Sequence, residues 1–355
     1  MALSSIRKPP SYGREAAPQS RRTLGSSGMA PDELSRSLRY LVGVGKSGPM
    51  SMTQQLPLAM ESLIGRDDRQ RVTDTELTPW RRICSLQMRG RLGSGVIGTG
   101  WLVGPRTVIS AGHCVYSEDF FGGWASEITV IPGRNGADEP FGSTISEDFS
   151  STDRWVRERD PDFDIGCIHL NEPIGEAAGW FGIATIPADD LNDHLINVSG
   201  YPGDLGNGTE LYTHRNRILR ITEQRIYYDV DSFAGESGGP AWIVRSNSAA
   251  PTVVGIHAYG LSGTPAALGI TANSAPRITS DVFEQIEAWV AEDGGRTAED
   301  DVSAGAADTL TDEEEQELAE LIRSELLTLR LELERGRRSR QSAHARTSML
   351  ARADK

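Results

Sequence analysis

A chain of 355 residues with 38% apolar residues, 38 glycines and 18 prolines reads as loop-rich and globular, long enough for one large or two small domains plus tails. Its formal charge of −14 argues against nucleic-acid binding, which draws on clustered Lys and Arg; the one basic cluster, Arg335, Arg337, Arg338 and Arg340, reads as a solvated tail. No run approaches the roughly 20 apolar residues of a membrane helix, so a soluble chain without a span is expected.

Residues 1–61 are rich in Ser, Pro, Gly and Arg with little apolar periodicity, the texture of a flexible or removable leader. Arg21 and Arg22 are followed by no hydrophobic stretch, so no secretory signal is expected and the compartment stays open. From 62 to 292 the texture changes to short apolar runs, among them RICSLQM, GTGWLVG, RTVISAGHCVY, DIGCIHL, RIYYDV and TVVGIHAYG, separated by Gly, Pro, Asn and Asp. Many short strands joined by turn chemistry predict an all-β sandwich or barrel.

The stretch SDVFEQIEAWVAED places Val282, Phe283, Ile286, Trp289 and Val290 on one stripe, which predicts an amphipathic helix capped by Ser280 that closes the domain. A Gly, Ala and Asp linker is expected over 293–310. Residues 311–355 should hold a second helix and the basic tail: Thr311 and Glu314 have capping-box spacing, and Leu318, Ile322, Leu326, Leu329 and Leu333 share a face. That face over 311–335 calls for a partner, whether the barrel, a second copy or another protein. Cys84, Cys114 and Cys167 sit in apolar contexts that favour buried thiols. With no CxxC or clustered histidines, neither a metal site nor a cofactor is expected.

The chemistry gathers around DSFAGESGGPAW, where glycines flank Ser237 on both sides. Such a pattern lets a serine stand proud of a sharp turn, and it serves two architectures that differ in the order of their other residues. Here TVISAGHCVY presents His113 and DPDFDIGCIHL presents Asp164, both before the serine. That order is chymotrypsin-like; an α/β-hydrolase needs a histidine after its serine and an alternating βα pattern that is missing. Asp160 and Asp162 are rivals to Asp164, but only Asp164 directly precedes the apolar IGCI run. His169, His194, His214 and His344 read as ordinary strand, loop or tail residues.

SAGHC, DFDIG and GESGGP, in this order, resemble the trypsin-like serine peptidases over about residues 62–292. The resemblance implies two six-stranded antiparallel β-barrels and an endopeptidase acting on proteins or peptides without a cofactor. His113 would take the proton of the Ser237 hydroxyl as it attacks and return it to the leaving amine, Asp164 would fix the imidazole, and the amides of Gly235 and Ser237 would form the oxyanion hole. The segments GYPGD and GIHAYG further resemble the bacterial glutamyl endopeptidases. In that branch His257 and Ser232 would meet the substrate carboxylate. Asp231 is the competing signal, because an acidic residue six positions before the serine selects Arg or Lys in trypsins.

SLIGRDDRQRVTDTELTPW resembles the mature start of the glutamyl branch and follows Glu61, so self-cleavage between Glu61 and Ser62 is expected. The new amine of Ser62 would settle against the pocket or Glu236, where trypsins carry an aspartate. A further reading is an inactive peptidase fold that serves as an interaction module through 311–335.

Overall fold

A computed structural model describes residues 3–9, 62–90, 95–192, 194–245 and 248–294. The helix expected over 311–335, its basic tail and Glu61 lie outside the described residues. All described residues except Ser248 and Ala249 belong to one compact unit.

Two curled sheets make up this unit. The first contains β1 (Ser5–Arg7), β3 (Ile83–Arg89), β4 (Gly95–Leu102), β5 (Thr107–Ser110), β8 (Glu127–Pro132), β9 (Thr144–Ser146), β10 (Asp148–Thr152) and β11 (Gly166–His169). They are ordered β1-β10-β11-β5-β4-β3-β8-β9, every neighbouring pair antiparallel. The second sheet contains β12 (Gly182–Ile183), β13 (Leu195–Gly200), β14 (Tyr212–Ile221), β15 (Arg225–Tyr228), β16 (Pro240–Arg245), β17 (Ser248–Ile256) and β18 (Asn273–Pro276), with β2 (Gln70–Arg71) added on β14. A small ribbon pairs β6 (Tyr116–Ser117) with β7 (Gly123–Trp124).

The architecture is the expected one, with eight strands in each sheet. Short strands such as β1, β2 and β12 raise the count, and β12 runs parallel to β17. Ser5–Arg7 lies in the span expected to be a leader, yet it pairs with β10 at Ser5↔Thr152, Ile6↔Ser151 and Arg7↔Ser150.

Alternation along the strands builds the core: β3 buries Ile83, Cys84, Ser85, Leu86 and Met88 while Gln87 and Arg89 face water. Ile83, Leu86, Trp101, Ile109, Ile128 and Ile168 fill the first sheet, and Ile196, Val198, Ile226, Tyr228 and Ile243 fill the second. Trp80 packs edge-on against Trp242 at 5.8 Å, joining the first core to a strand of the second sheet. Cys84, Cys114 and Cys167 are buried thiols.

The C-terminal helix spans Ser280–Glu292 and buries Val282, Ile286, Trp289 and Val290. Its cap is Thr279, one residue earlier than the sequence suggested. Thr279 is extended, and its hydroxyl accepts a hydrogen bond from the Val282 amide at 3.4 Å. Among the described residues no helix is long and apolar enough to cross a membrane.

Candidate active site

His113 sits on a one-turn helix, Gly112–Val115, directly after the buried strand β5. The small residues before it leave room for its partner. A Cβ on Gly112 would stand 2.6 Å from the Trp155 ring and 2.9 Å from Asp164 Oδ1. Asp164 ends a 3-10 turn over Pro161–Phe163 and is fully buried. Its carboxylate accepts twice from His113, from the backbone N–H at 2.8 Å and at Nδ1 at 2.7 Å, which orients the ring.

The rival carboxylates are engaged elsewhere. Asp160 caps the turn, accepting from the Asp162 amide at 3.1 Å, and pairs with Arg154; Asp162 lies 3.5 Å from Arg225. Burial disfavours a charged His113, but the Asp164 carboxylate together with the neighbouring Cys114 more than offsets it, and the histidine pKa lies well above its ordinary value. A group that no sequence motif marks joins here. Burial, together with the nearby Asp164 carboxylate, raises the Tyr259 pKa.

Ser237 lies on the loop between β15 and β16. Backbone bonds shape the turn: Glu236 N donates to Phe233 O at 3.0 Å and Gly238 N to His257 O at 2.7 Å. Gly235 has φ +107 and Gly238 φ +87, values that L side chains rarely adopt. Space forbids a side chain as well: a Cβ on Gly238 would stand 2.1 Å from Ser110 Oγ, and one on Gly235 2.6 Å from Tyr201 O. His113, Gly235 and Ser237 all border one cavity of about 370 Å³.

His257 is fully buried, with Tyr228 Oη 2.5 Å from its Nδ1. Burial, reinforced by the positive charge of His113, pushes its pKa down to about 3, so the ring is neutral near pH 7. Tyr228 was not foreseen either. If its hydroxyl donates to Nδ1, the ring proton sits on Nε2.

Asp231 is occupied. Its Oδ1 accepts from the Ile64 amide at 2.5 Å, its Oδ2 from the Asp68 amide at 3.0 Å, and its own N–H donates to His214 Nδ1 at 2.7 Å. Ser232 is buried next to the same segment, its N–H donating to Ser62 O at 3.4 Å. Ser62 is held by Asn273, whose Nδ2 donates to Ser62 O at 2.6 Å and whose Oδ1 accepts from Ser62 N at 3.3 Å.

In the uncleaved chain Glu236 is bound to other groups. It meets Arg69 Nη1 at 3.4 Å and accepts from the Phe233 amide at 2.7 Å, while Ser62 N goes to Asn273. Nothing in the sequence around Arg69 announces this role. Its guanidinium is fully buried between Asp67, Asp204 and Glu236, and bidentate bonds to the first two compensate its desolvation.

The remaining described histidines bond to groups away from His113 and Asp164. His214 supports Asp231, and His194 bonds Asp190 O at 2.9 Å. His169 bonds Asp293 at 2.8 Å and Ser150 at 2.9 Å. With Cys167 it forms the one set of three metal-ligating side chains among the described residues, and none of the three borders the cavity. Their closest pair, His169 and Asp293, is a direct hydrogen bond that ties the C-terminal helix to β11.

Comparison with known proteins identifies the family. The Trypsin family matches residues 70–278. A glutamyl endopeptidase of Bacillus licheniformis is 36% identical over 236 residues, which are 66% of this chain and 70% of that protein. A Bacillus subtilis protein named an extracellular metalloprotease is 35% identical over 233 residues, 65% of this chain and 71% of its own. Among solved structures, a Glu endopeptidase in complex with MPD aligns with a TM-score of 0.54 and 26% identity, covering 62% of this chain and 96% of that one. The chain belongs to the trypsin family and is a serine endopeptidase.

Proposed function

We propose that His113, Asp164 and Ser237 form the catalytic triad and that the enzyme cuts after glutamate. The observation that carries the triad is the doubly bonded His113–Asp164 pair beside a cavity that Ser237 shares with His113. In this reading Ser237 Oγ attacks the scissile carbonyl while the imidazole takes its proton. The developing oxyanion is met by the amides of Gly235 and Ser237, and the proton passes on to the leaving amine. The Tyr259 ring packs edge-on against His113 at 6.4 Å.

Three features support glutamate. The Asp231 carboxylate, which would attract Arg or Lys, is 2% exposed and bonded to two backbone amides. His257 is held by Tyr228, and a proton on Nε2 can donate to a substrate carboxylate. Ser62, which begins the mature chain in this proposal, is seated by Asn273, the direct β-partner of Tyr228. Cleavage between Glu61 and Ser62 would leave a new amine in this neighbourhood, adding positive charge for the glutamate.

A fluorogenic peptide panel that varies only the residue before the cut tests the proposal. Glutamate should exceed glutamine, aspartate and arginine, and Ser237→Ala should abolish turnover together with labelling by a serine-directed phosphonate. Cleavage confined to Arg or Lys would overturn the specificity, and undiminished turnover by Ser237→Ala would overturn the triad.

A further inference from the structure

The cavity beside Ser237 is apolar, and the residues proposed to read glutamate do not line it. Met88, Val96, Ile97, Cys114 and Phe120 form one wall, and His113 is the only ionisable base on its border among the described residues. Asp231, Ser232 and His257 are absent from that border. Ile97 packs under the oxyanion glycine: its Cδ1 lies 3.1 Å from where a Cβ on Gly235 would stand. In the same wall, Cys114 Sγ lies 3.6 Å from Ser237 O.

We infer that this cavity is a subsite for a large apolar side chain, such as Leu, Ile, Met or Phe, on the residue directly after the scissile bond. The inference rests on the proposed triad. His113 hands its proton to the leaving amine, so the first residue of the leaving peptide starts between His113 and Gly235, both of which border the cavity. Its volume of about 370 Å³ accommodates such a side chain. A basic side chain in the same place would lose its hydration and find no carboxylate on the border, and an acidic one would meet only His113, whose charge would disable it as the base. The substrate class is therefore a glutamyl bond followed by a bulky apolar residue.

The test uses the full chain and quenched peptides with a fixed glutamate before the cut and Leu, Phe, Gly, Asp or Lys after it. A glutamyl anilide, which carries no residue after the cut, reports the proposed activity on its own. Leu and Phe should exceed Gly in kcat/KM by roughly 10- to 100-fold and exceed Asp by more. Phe120→Asp should lower the Leu to Lys ratio by at least about 10-fold. Rapid anilide cleavage with a flat peptide series, or with a preference appearing only two residues beyond the cut, would overturn the subsite and leave the triad standing. Failure to cut either kind of substrate would overturn both. An unchanged Leu to Lys ratio in Phe120→Asp would overturn the assignment of this wall.

Discussion

Arg69 and Glu236 form a buried ion pair: the guanidinium is fully covered, the carboxylate 1% exposed, and Nη1 lies 3.4 Å from Oε2. Through Glu236 Oε2, which also accepts from the Phe233 amide at 2.7 Å, the pair fixes the loop directly before Ser237. Removing only one partner strands a charge in the interior. Arg69→Met is therefore expected to cost about 3 to 5 kcal/mol in urea denaturation. Adding Glu236→Gln should recover part of that loss, since no unpaired charge then remains at this position. Additive losses in the double variant would mean that the two side chains are not coupled.

The pH dependence follows from His113. In the proposed triad the base works only when neutral, and its surroundings, Asp164 foremost, raise its pKa above the ordinary histidine value, so activity should fall with decreasing pH through a midpoint above about 6.5. Removing the carboxylate removes the main cause. In Asp164→Asn the midpoint should move to lower pH, while kcat drops about 10⁴-fold, the loss measured in the prototype of this family. A pH profile of kcat/KM for both proteins checks the direction.

His257 offers a test of specificity. Replacing it with Leu should remove a charge-assisted contact of about 1.5 to 3 kcal/mol, and the preference for glutamate over glutamine should shrink roughly 10- to 150-fold. Tyr228→Phe should shift the same ratio in the same direction without deleting the imidazole, because the tautomer is then no longer fixed. Paired Glu and Gln substrates give the comparison directly.

Processing at Glu61 should not release the amino-terminal strand. Arg7 holds Asp148 through two bonds of 2.8 and 2.6 Å and reaches Glu292 at 3.2 Å. Lys8 N donates to Phe149 O, and Asp153 N donates to Ser4 O. A fragment containing residues 3–9 should therefore co-elute with the domain that begins at Ser62 and separate from it only in denaturant. Deleting residues 1–9 should lower Tm, by about 2 to 4 °C for each kcal/mol by which the fold is destabilised. Gel filtration followed by mass spectrometry distinguishes retention from release.

Much of the candidate site was legible because its requirements are local. Gly112 beside His113, Asp164 at the mouth of an apolar run, and Gly235 and Gly238 around Ser237 each answer a backbone or steric demand within a few residues, and such demands leave a motif. The helix Ser280–Glu292 was likewise written in its period, and only its cap moved by one residue. By contrast, the roles of Asp231, Glu236 and Tyr228 depended on partners far along the chain. Asp231 is consumed by amides 167 and 163 residues away, Glu236 pairs with an arginine 167 residues away, and Tyr228 meets a histidine 29 residues away. A carboxylate's meaning lies in what neutralises it, and no local pattern records that. The strand Ser5–Arg7 escaped notice for a related reason. Three residues carry no measurable period, and their extended form is held by hydrogen bonds to β10, an edge that exists only once the barrel has folded.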